Sequence, residues 1–315
     1  MVAETGGPGR RKEGRRIPTL PIRGNLTLII RGKFLRTGEV HDEFWIRSSD
    51  LPMLPEIVES VRALPHRPDL FTSAQKLPDL EPRYSYYYEW DNIAISSFGS
   101  YAEWFKERVD SKVRQDIRKS AKEGVRTEVV PFSDELVEGI SAIYNEVPAR
   151  QGKRFVHFGE SLEAVKAENE TYLSRSVFIG AFWGSELIGF AKIVLDDEVA
   201  MLMQFLSKSA HFGKRPSSAL IAKSVEMCEQ KGLKMLTYGR YSYGKKETGG
   251  LVDFKRSLGF RKVEIPRYYV PLSLKGKLAI RLGVHRGVGE LVPAWALAAK
   301  ARLRSYRPEL RRRPS

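Results

Sequence analysis

The chain has 315 residues, 42% of them hydrophobic, and a formal charge of +15; that is apolar material enough for one large core or two smaller ones. No apolar run approaches the ~18 residues of a membrane span, and the first twenty residues lack the apolar stretch of a secretory signal, so the cytoplasm is the expected compartment. The charge sits at the ends, +4 in residues 1–23 and +9 in residues 274–315, which leaves +2 for the 250 residues between and excludes a strongly basic groove through the body while pointing the ends at an anionic surface.

In chain order, residues 1–24 have little to bury and are expected to be a disordered basic N-terminus. NLTLII and EFWIRS read as short strands, LPEIVESVRAL as a helix, FTSAQKLPDLEPR as a Pro-punctuated loop, and YSYYYEWDNIAISS as a longer strand rich in aromatic and β-branched residues. Residues 25–99 hold too little core to stand alone and are expected as a β/α extension packed on the main domain. A helical region then runs from Ser100 to Gly124, a glycine suited to the left-handed residue that closes a helix. Within it KVRQDIRKSAKEGV sets Val113, Ile117 and Ala121 in one row and Arg114, Arg118 and Lys122 in the next.

RTEVV reads as a strand, SDELVEGISAIYNEVPAR and SLEAVKAENETYLSR as helices, and SVFIGAFW, ELIGFAKIVL and VAMLMQFLS as strands, the first two joined at Gly184-Ser185. PSSALIAKSVEMCEQKG is a helix opened by proline and closed by Gly232. LKMLTYG follows as a strand, GGLVDFKRSLG as a short helix and FRKVEIPRYYVPL as an extended strand. Residues 100–271 thus give a mixed α/β sheet, an antiparallel meander feeding a β-α-β crossover, with helices on both faces. Residues 272–315 are expected as a basic amphipathic arm, in which a helix from Leu291 to Tyr306 with Trp295, Leu297 and Leu303 on its apolar side is suited to lie in a headgroup layer, a tail that docks on its own domain and ends in disorder being the alternative. Cys228, at helical spacing with Ile221 and Val225, reads as core. His41, His66, His157, His211 and His285 show no metal-ligand spacing such as HExxH, and no metal site is expected.

This element order, with LGFR near its end, resembles the GNAT superfamily of N-acyltransferases over roughly residues 100–271. KVRQDIRKSAKEGV, PARQG and DFKRSLGF are similar to the FemAB-type branch, which transfers amino acids from aminoacyl-tRNA to peptidoglycan precursors. The resemblance implies a sheet that splays between its fourth and fifth strands, here AMLMQFLS and LKMLTYG, leaving backbone groups for a donor. Catalysis there is placement plus stabilisation of an oxyanion. One segment departs from the pattern: CoA-using members carry Q/R-x-x-G-x-G/A ahead of the central helix. Here the stretch is HFGKRPSSAL, where Gly213 fits, Arg215 and Ser217 stand where small residues are usual, and Pro216 removes an N–H. Two donors therefore stay open, acyl-CoA and aminoacyl-tRNA, with no permanently bound cofactor.

Gly213, Lys214, Arg215, Ser217 and Ser218 are candidates for an anion cradle at the helix start, solvated charges being the alternative. Lys255 matches the lysine of the F-K motif, for which the resemblance implies a cation that steadies the reacting carbonyl or a phosphate, a solvated lysine on a helix being the alternative. Tyr238, Tyr241 and Tyr243 stand at and beyond the end of the fifth strand; Tyr241 is the candidate to protonate the leaving group, with aromatic packing as the alternative. Arg240 is suited to clamp a phosphate or to pair on the surface. Gln204 is placed to orient the acceptor amine or to be a satisfied buried amide. Arg114, Arg118 and Lys122 are candidate contacts for the phosphates of an RNA donor or a lipid-linked acceptor, or simply a solvated row.

The expected function is amide formation between an acyl or aminoacyl donor and an amine acceptor, such as a lipid-linked cell-envelope precursor. The enzyme would sit peripherally at the inner membrane face through its basic arm, with tRNA as a possible partner. An acetyl-CoA-dependent N-acetyltransferase of a soluble amine and a non-catalytic RNA or membrane adaptor are the alternatives.

Overall fold

The computed structural model describes residues 19–23, 26–150, 152–243 and 249–286. Most of the expected N-terminal tail and the Leu291 to Tyr306 helix lie outside the described residues.

The chain begins with β1 (Thr19–Pro21), β2 (Thr27–Arg31), β3 (Thr37–Val40), α1 (Leu54–Arg62), β4 (Leu70–Ala74) and β5 (Tyr88–Ser97). Two expectations fail in this stretch. EFWIRS forms turns, with the Trp45 N–H donating to Asp42 O at 2.8 Å, and Phe44 and Trp45 pack on Val194, Met201 and Met203. FTSAQKLPDLEPR opens as part of β4, whose Leu70, Phe71, Thr72 and Ser73 are all buried; a strand covered on both faces lacks the alternation that marks a half-exposed one.

Next come α2 (Tyr101–Glu103), which runs into a π-helical turn at Trp104–Arg108, and α3 (Ser111–Lys122). They are followed by β6 (Val125–Val130), α4 (Asp134–Tyr144), the small hairpin β7 (Ala149–Arg150) and β8 (Lys153–Arg154), and α5 (Leu162–Asn169). The helix read over SDELVEGISAIYNEVPAR stops at Tyr144, and its remainder turns into that hairpin. Then come β9 (Ser176–Trp183), β10 (Glu186–Leu195), β11 (Val199–Ser207), α6 (Pro216–Gln230), β12 (Met235–Thr237), α7 (Gly250–Ser257), β13 (Arg261–Pro271) and α8 (Leu274–Arg281). Serines cap α4 and α5: Ser133 accepts from the Leu136 N–H and Ser161 from the Ala164 N–H.

Eleven strands form one sheet in the order β1-β2-β3-β4-β13-β5-β12-β11-β10-β9-β6. β5 is inserted between β12 and β13, antiparallel to both, so residues 25–99 do more than pack on the body: they complete its sheet. On one face α6 and α3 pack Leu220, Ile221, Val225 and Val113 over Ile193 and Leu202. On the other, α4 and α5 pack Ile140, Ile143 and Val165 over Phe178, Phe190 and Leu206. Each such side chain withdrawn from water contributes about 1.5–3 kcal/mol. Cys228 belongs to the first core, and burial pushes its thiol up to about 12. The inward face of α3 is Val113, Ile117 and Ser120; Ala121, expected there, is exposed.

β9, β10 and β11 form the expected antiparallel meander. A bulge pairs Lys192 with Gln204 but Ile193 with Leu202, so Met203 is the extra residue on β11. β11 runs parallel to β12 only through Val199↔Met235, Ala200↔Leu236 and Met201↔Thr237. Beyond that point β11 continues to Ser207, while the chain after Thr237 stays with β5: the Tyr238 N–H donates to Ala94 O at 2.9 Å and the Ala94 N–H to Gly239 O at 2.8 Å. The two ribbons diverge into a fork at the C-terminal ends of parallel strands, the end at which open α/β sheets hold ligands.

Candidate active site

The side of the fork formed by the chain after β12 is aromatic. Phe205 of β11 meets the Tyr238 ring at 5.7 Å and the Phe254 ring at 6.3 Å, and Phe260 closes on Tyr238 at 5.7 Å. Tyr238 is fully buried with no hydrogen-bond partner for its hydroxyl among the described residues, and burial raises its pKa. Beside it α7 carries Lys255, also fully buried. Its Nζ donates to Arg240 O and stands 4.7 Å from the ring centre of Tyr238 and 5.6 Å from that of Tyr243. Burial, with no carboxylate among the described residues to offset it, pulls Lys255 down to about 8. One of its three protons is engaged among the described residues, which leaves donor capacity for a developing negative charge. Tyr241 is half-buried against the same core.

The loop after β12 is tied down by ion pairs. Arg240 donates to Asp91 Oδ2 at 2.9 Å, Arg267 of β13 donates to the same oxygen at 2.9 Å, and Arg267 also reaches Glu43 Oε1 at 2.6 Å. Burial alone would raise the Asp91 pKa, but Arg267 and Arg240 hold it below the usual carboxylate range. Burial likewise disfavours the charged form of Arg267, and Glu43 and Asp91 outweigh it. Ser242 adds a bond from its N–H to Asn92 Oδ1 at 2.8 Å.

At the other side of the mouth, Ser217 Oγ lies 3.0 Å from Ser207 Oγ at the end of β11, and Ser218 is buried in the first turn of α6. Arg215, with φ 60°, precedes Pro216, and the N–H groups of Ser218 and Ala219 both donate to Arg215 O, at 3.1 and 3.3 Å. Backbone donors for a pyrophosphate are therefore few. Lys214 Nζ lies 4.0 Å above the Trp183 ring and 4.0 Å from Glu123, and Arg215 Nε lies 3.3 Å from Asp116, so both cations engage α3 and β9. A Cβ at Gly213 would meet open space.

Gln204 projects from the opposite face of β11 to Phe205, beside Lys192. Lys192 is fully buried, with Nζ on Asn169 O, Thr171 O and Thr171 Oγ1 at 2.9, 2.6 and 3.0 Å. Burial pulls it down to about 7, with Glu168 opposing. On α3, Arg114 donates to Lys106 O and Val109 O and so stitches the π-helical turn to the helix. Arg118 lies 5.5 Å over the Phe105 ring, and Lys122 is exposed.

The folded chain thus brings together Lys255, Tyr241 and Arg240, sets Ser217 and Ser218 across the fork, leaves Gln204 on the other sheet face, and puts the α3 row outside. Sequence reading missed Asp91, Glu43 and Arg267, whose relations span up to 224 residues. The histidines are not all isolated either: ligand-type atoms of His157, Glu160 and Glu168 lie within 4.8 Å of one another. An open hollow of 590 Å³ at the other end of the parallel pair is lined by Phe98, Glu103, Arg108, Asp197 and Lys234 among others. No helix among the described residues is long and apolar enough to cross a membrane. α8 nevertheless exposes Leu274, Leu278 and Leu282 (83%, 55% and 61%) beside Lys275, Lys277 and Arg281.

No protein-family model matches the chain, and no curated protein matches its sequence. Solved structures do match. The C-terminal domain of a putative lysylphosphatidylglycerol synthetase from Agrobacterium fabrum is similar at a TM-score of 0.55 and 14% identity, over 85% of this chain and 88% of that one. L-PGS from Bacillus licheniformis is similar at 0.52 and 13% identity, over 84% and 88%. FemX is similar at 0.50 and 9% identity, over 87% and 88%. With its forked mixed sheet and these neighbours, the chain has a GNAT/FemAB-like fold.

Proposed function

We propose that the chain is an acyl- or aminoacyltransferase that forms an amide in the fork between β11 and β12. The amine nitrogen attacks the donor carbonyl, the carbonyl oxygen becomes an oxyanion, and collapse expels the donor's alcohol or thiol with a proton that the nitrogen gives up. The observation that carries this reading is Lys255, a buried amine with no carboxylate partner among the described residues, at the base of the fork. A fixed, desolvated cation stabilises negative charge as it forms and needs no reorganisation to do so. Tyr241 is assigned the proton transfer to the leaving group, and Arg240, Ser217 and Ser218 the contacts to donor phosphate.

An aminoacyl ester is preferred over acyl-CoA as donor. Pro216 lacks an N–H and the Ser218 N–H is already bonded to Arg215 O, which weakens the helix start as a pyrophosphate cradle. A solved neighbour named as a putative lysylphosphatidylglycerol synthetase, and FemX, are in keeping with that donor class. Arg118 and Lys122 extend the phosphate contacts of a polyanionic donor. The leucine stripe of α8 with its flanking cations favours an acceptor presented at an anionic membrane surface.

The test is mass spectrometry of molecules retained by the purified chain, followed by transfer assays that offer aminoacyl-tRNA and acyl-CoA in parallel to an amine acceptor. Transfer from aminoacyl-tRNA is expected. Efficient transfer from acetyl-CoA would replace the donor assignment, and transfer from neither would leave the adaptor alternative standing.

A further inference from the structure

Two elements at one end of the sheet turn their apolar side chains outward. The turn that joins β2 to β3, residues 32–36, carries Phe34, and α8 opens with Leu274; at 86% and 83% exposure these are the barest large hydrophobic side chains among the described residues. α8 is also inverted relative to a helix folded for burial. Its inner face is Gly276 and Ala279, both buried, whereas Leu274, Leu278 and Leu282 follow one another a turn apart on the outside. A helix that shows small residues to its own protein and leucines to the surroundings has a partner elsewhere.

Asp69 ties the two elements together. Its carboxylate accepts from the Arg36 N–H at 3.0 Å and from the hydroxyl of Ser273, the N-cap of α8, at 2.9 Å. Its own N–H donates to Arg36 O at 2.8 Å, and its carbonyl accepts from the Leu272 N–H at 2.9 Å. Gly32, at φ 92°, makes the turn where an added Cβ would lie 2.0 Å from Leu35 O. Phe34 and the leucines therefore belong to one face and are not two loose tips.

Charge names the partner. Residues 31–36 and 274–286 together hold seven Lys and Arg and no Asp or Glu. Lys33, Lys277 and Arg281 have no acidic partner among the described residues. Lysine is depleted in protein–protein interfaces, which disfavours a protein cover. Residues 287–315 of the same chain carry seven Lys and Arg against two Glu, so like charge opposes their settling there. A nucleic acid would take the cations and leave Phe34 and three leucines in water. An anionic bilayer accepts both, the apolar side chains at the acyl boundary and the cations among the headgroup phosphates.

The strand register gives the orientation. Arg31 pairs with Thr37, Thr37 with Leu70 and Leu70 with Pro271. Along β5, Tyr88 pairs with Tyr268 of β13, and Ile95 with Thr237 of β12. The turn and the start of α8 thus lie at the end toward which β11 and β12 run, the end at which the fork opens.

We propose that the Phe34 turn and α8 form one docking face for the anionic surface of a phospholipid bilayer. The docking does not depend on the transferase reading; only its service, turning the open fork toward a lipid-linked acceptor, rests on it.

The test uses the full chain with an environment-sensitive fluorophore on Phe34→Cys or on Leu278→Cys, and on Leu162→Cys, an exposed leucine of α5, as control. Cys228 is buried and escapes labelling. With phosphatidylcholine vesicles that contain phosphatidylglycerol, the labels at 34 and 278 should shift to the blue and the label at 162 should not; with phosphatidylcholine alone none should shift. Unlabelled Phe34→Ser should melt as wild type does and partition onto the anionic vesicles roughly ten-fold more weakly. Equal partitioning of Phe34→Ser and wild type would overturn the proposal. Co-sedimentation with silent labels at 34 and 278 would also overturn it and assign attachment to residues 287–315. So would a shift without vesicles that grows with protein concentration, which gives the face to a second copy, or a shift with RNA and not with vesicles. Docking by a chain that transfers from no donor would keep the face and remove the transferase reading; transfer to a soluble amine by a chain that ignores vesicles would do the reverse.

Discussion

The ammonium group of Lys255 donates to the carbonyl oxygen of Arg240, which joins the amine at the base of the fork to the loop that borders it. The Arg240 side chain reaches the other way, to Asp91, which it shares with Arg267. The lysine, the loop and β13 are thereby fixed as one unit, and a buried amine is kept where the diverging strands leave room.

That burial has a pH signature. Lys255 is held at about 8 against its ordinary 10.5, so between those values the unfolded chain binds a proton that the folded chain does not. Stability contributed by this residue therefore rises with pH through that window, and burying the charged amine costs on the order of 3 kcal/mol below it. Lys255→Met should be the more stable protein at pH 7, with its advantage shrinking toward pH 10, as read from urea midpoints across the range. A constant advantage would show that the amine is not desolvated.

Activity should move the opposite way. If the charged amine stabilises the oxyanion, turnover falls as pH rises through about 8. A pH profile of kcat measured from 6 to 10 checks this, and a rising alkaline limb would assign Lys255 a base-like role instead.

Arg267 is nearly buried between Glu43 and Asp91, so removing it strands two carboxylates. Arg267→Met should destabilise by about 3–5 kcal/mol, measured by urea denaturation, and loosen the loop of Arg240. Glu43→Gln keeps a hydrogen-bond acceptor for the guanidinium and should cost less.

Much of this arrangement was legible in the sequence. Apart from the β7–β8 hairpin, the order of strands and helices from Val125 to Pro271 followed from periodicity, the serine starts at Ser133 and Ser161, and the glycines that close α3 and α6. The Phe254-Lys255 motif and the divergence of AMLMQFLS from LKMLTYG were expected from the resemblance to the GNAT superfamily rather than from periodicity. β4 was hidden because a strand buried on both faces does not alternate, and EFWIRS misled because aromatic residues that cover a sheet look like those within one. The Asp91–Arg267–Glu43 chain and the Tyr144–His157–Glu168 group were out of reach for a different reason: their partners meet only when β5 enters the sheet beside β13 and when α4 and α5 fold over β10. The expectation of Ala121 on the inner face of α3 erred by one residue, which is enough on a helix to turn a side chain outward.

The exposed leucines of α8 give a separate prediction. Leu274→Ser with Leu278→Ser should reduce co-sedimentation with anionic vesicles while changing folding stability by less than about 0.5 kcal/mol, because neither side chain is buried. Equal partitioning of the variant and the wild-type chain would remove the membrane assignment from this helix. The position of α8 is itself set by Gly276, where an added Cβ would lie 2.0 Å from Asp69 O. Gly276→Ala should therefore cost at least about 1–3 kcal/mol in the same denaturation assay.

The most direct measurement is amide formation by wild type and Lys255→Met with the same aminoacyl donor and amine acceptor, alongside their melting curves. The account predicts a turnover lower by roughly 10²–10³-fold in a variant that melts no lower than wild type. A well-folded Lys255→Met that transfers at the wild-type rate would contradict it.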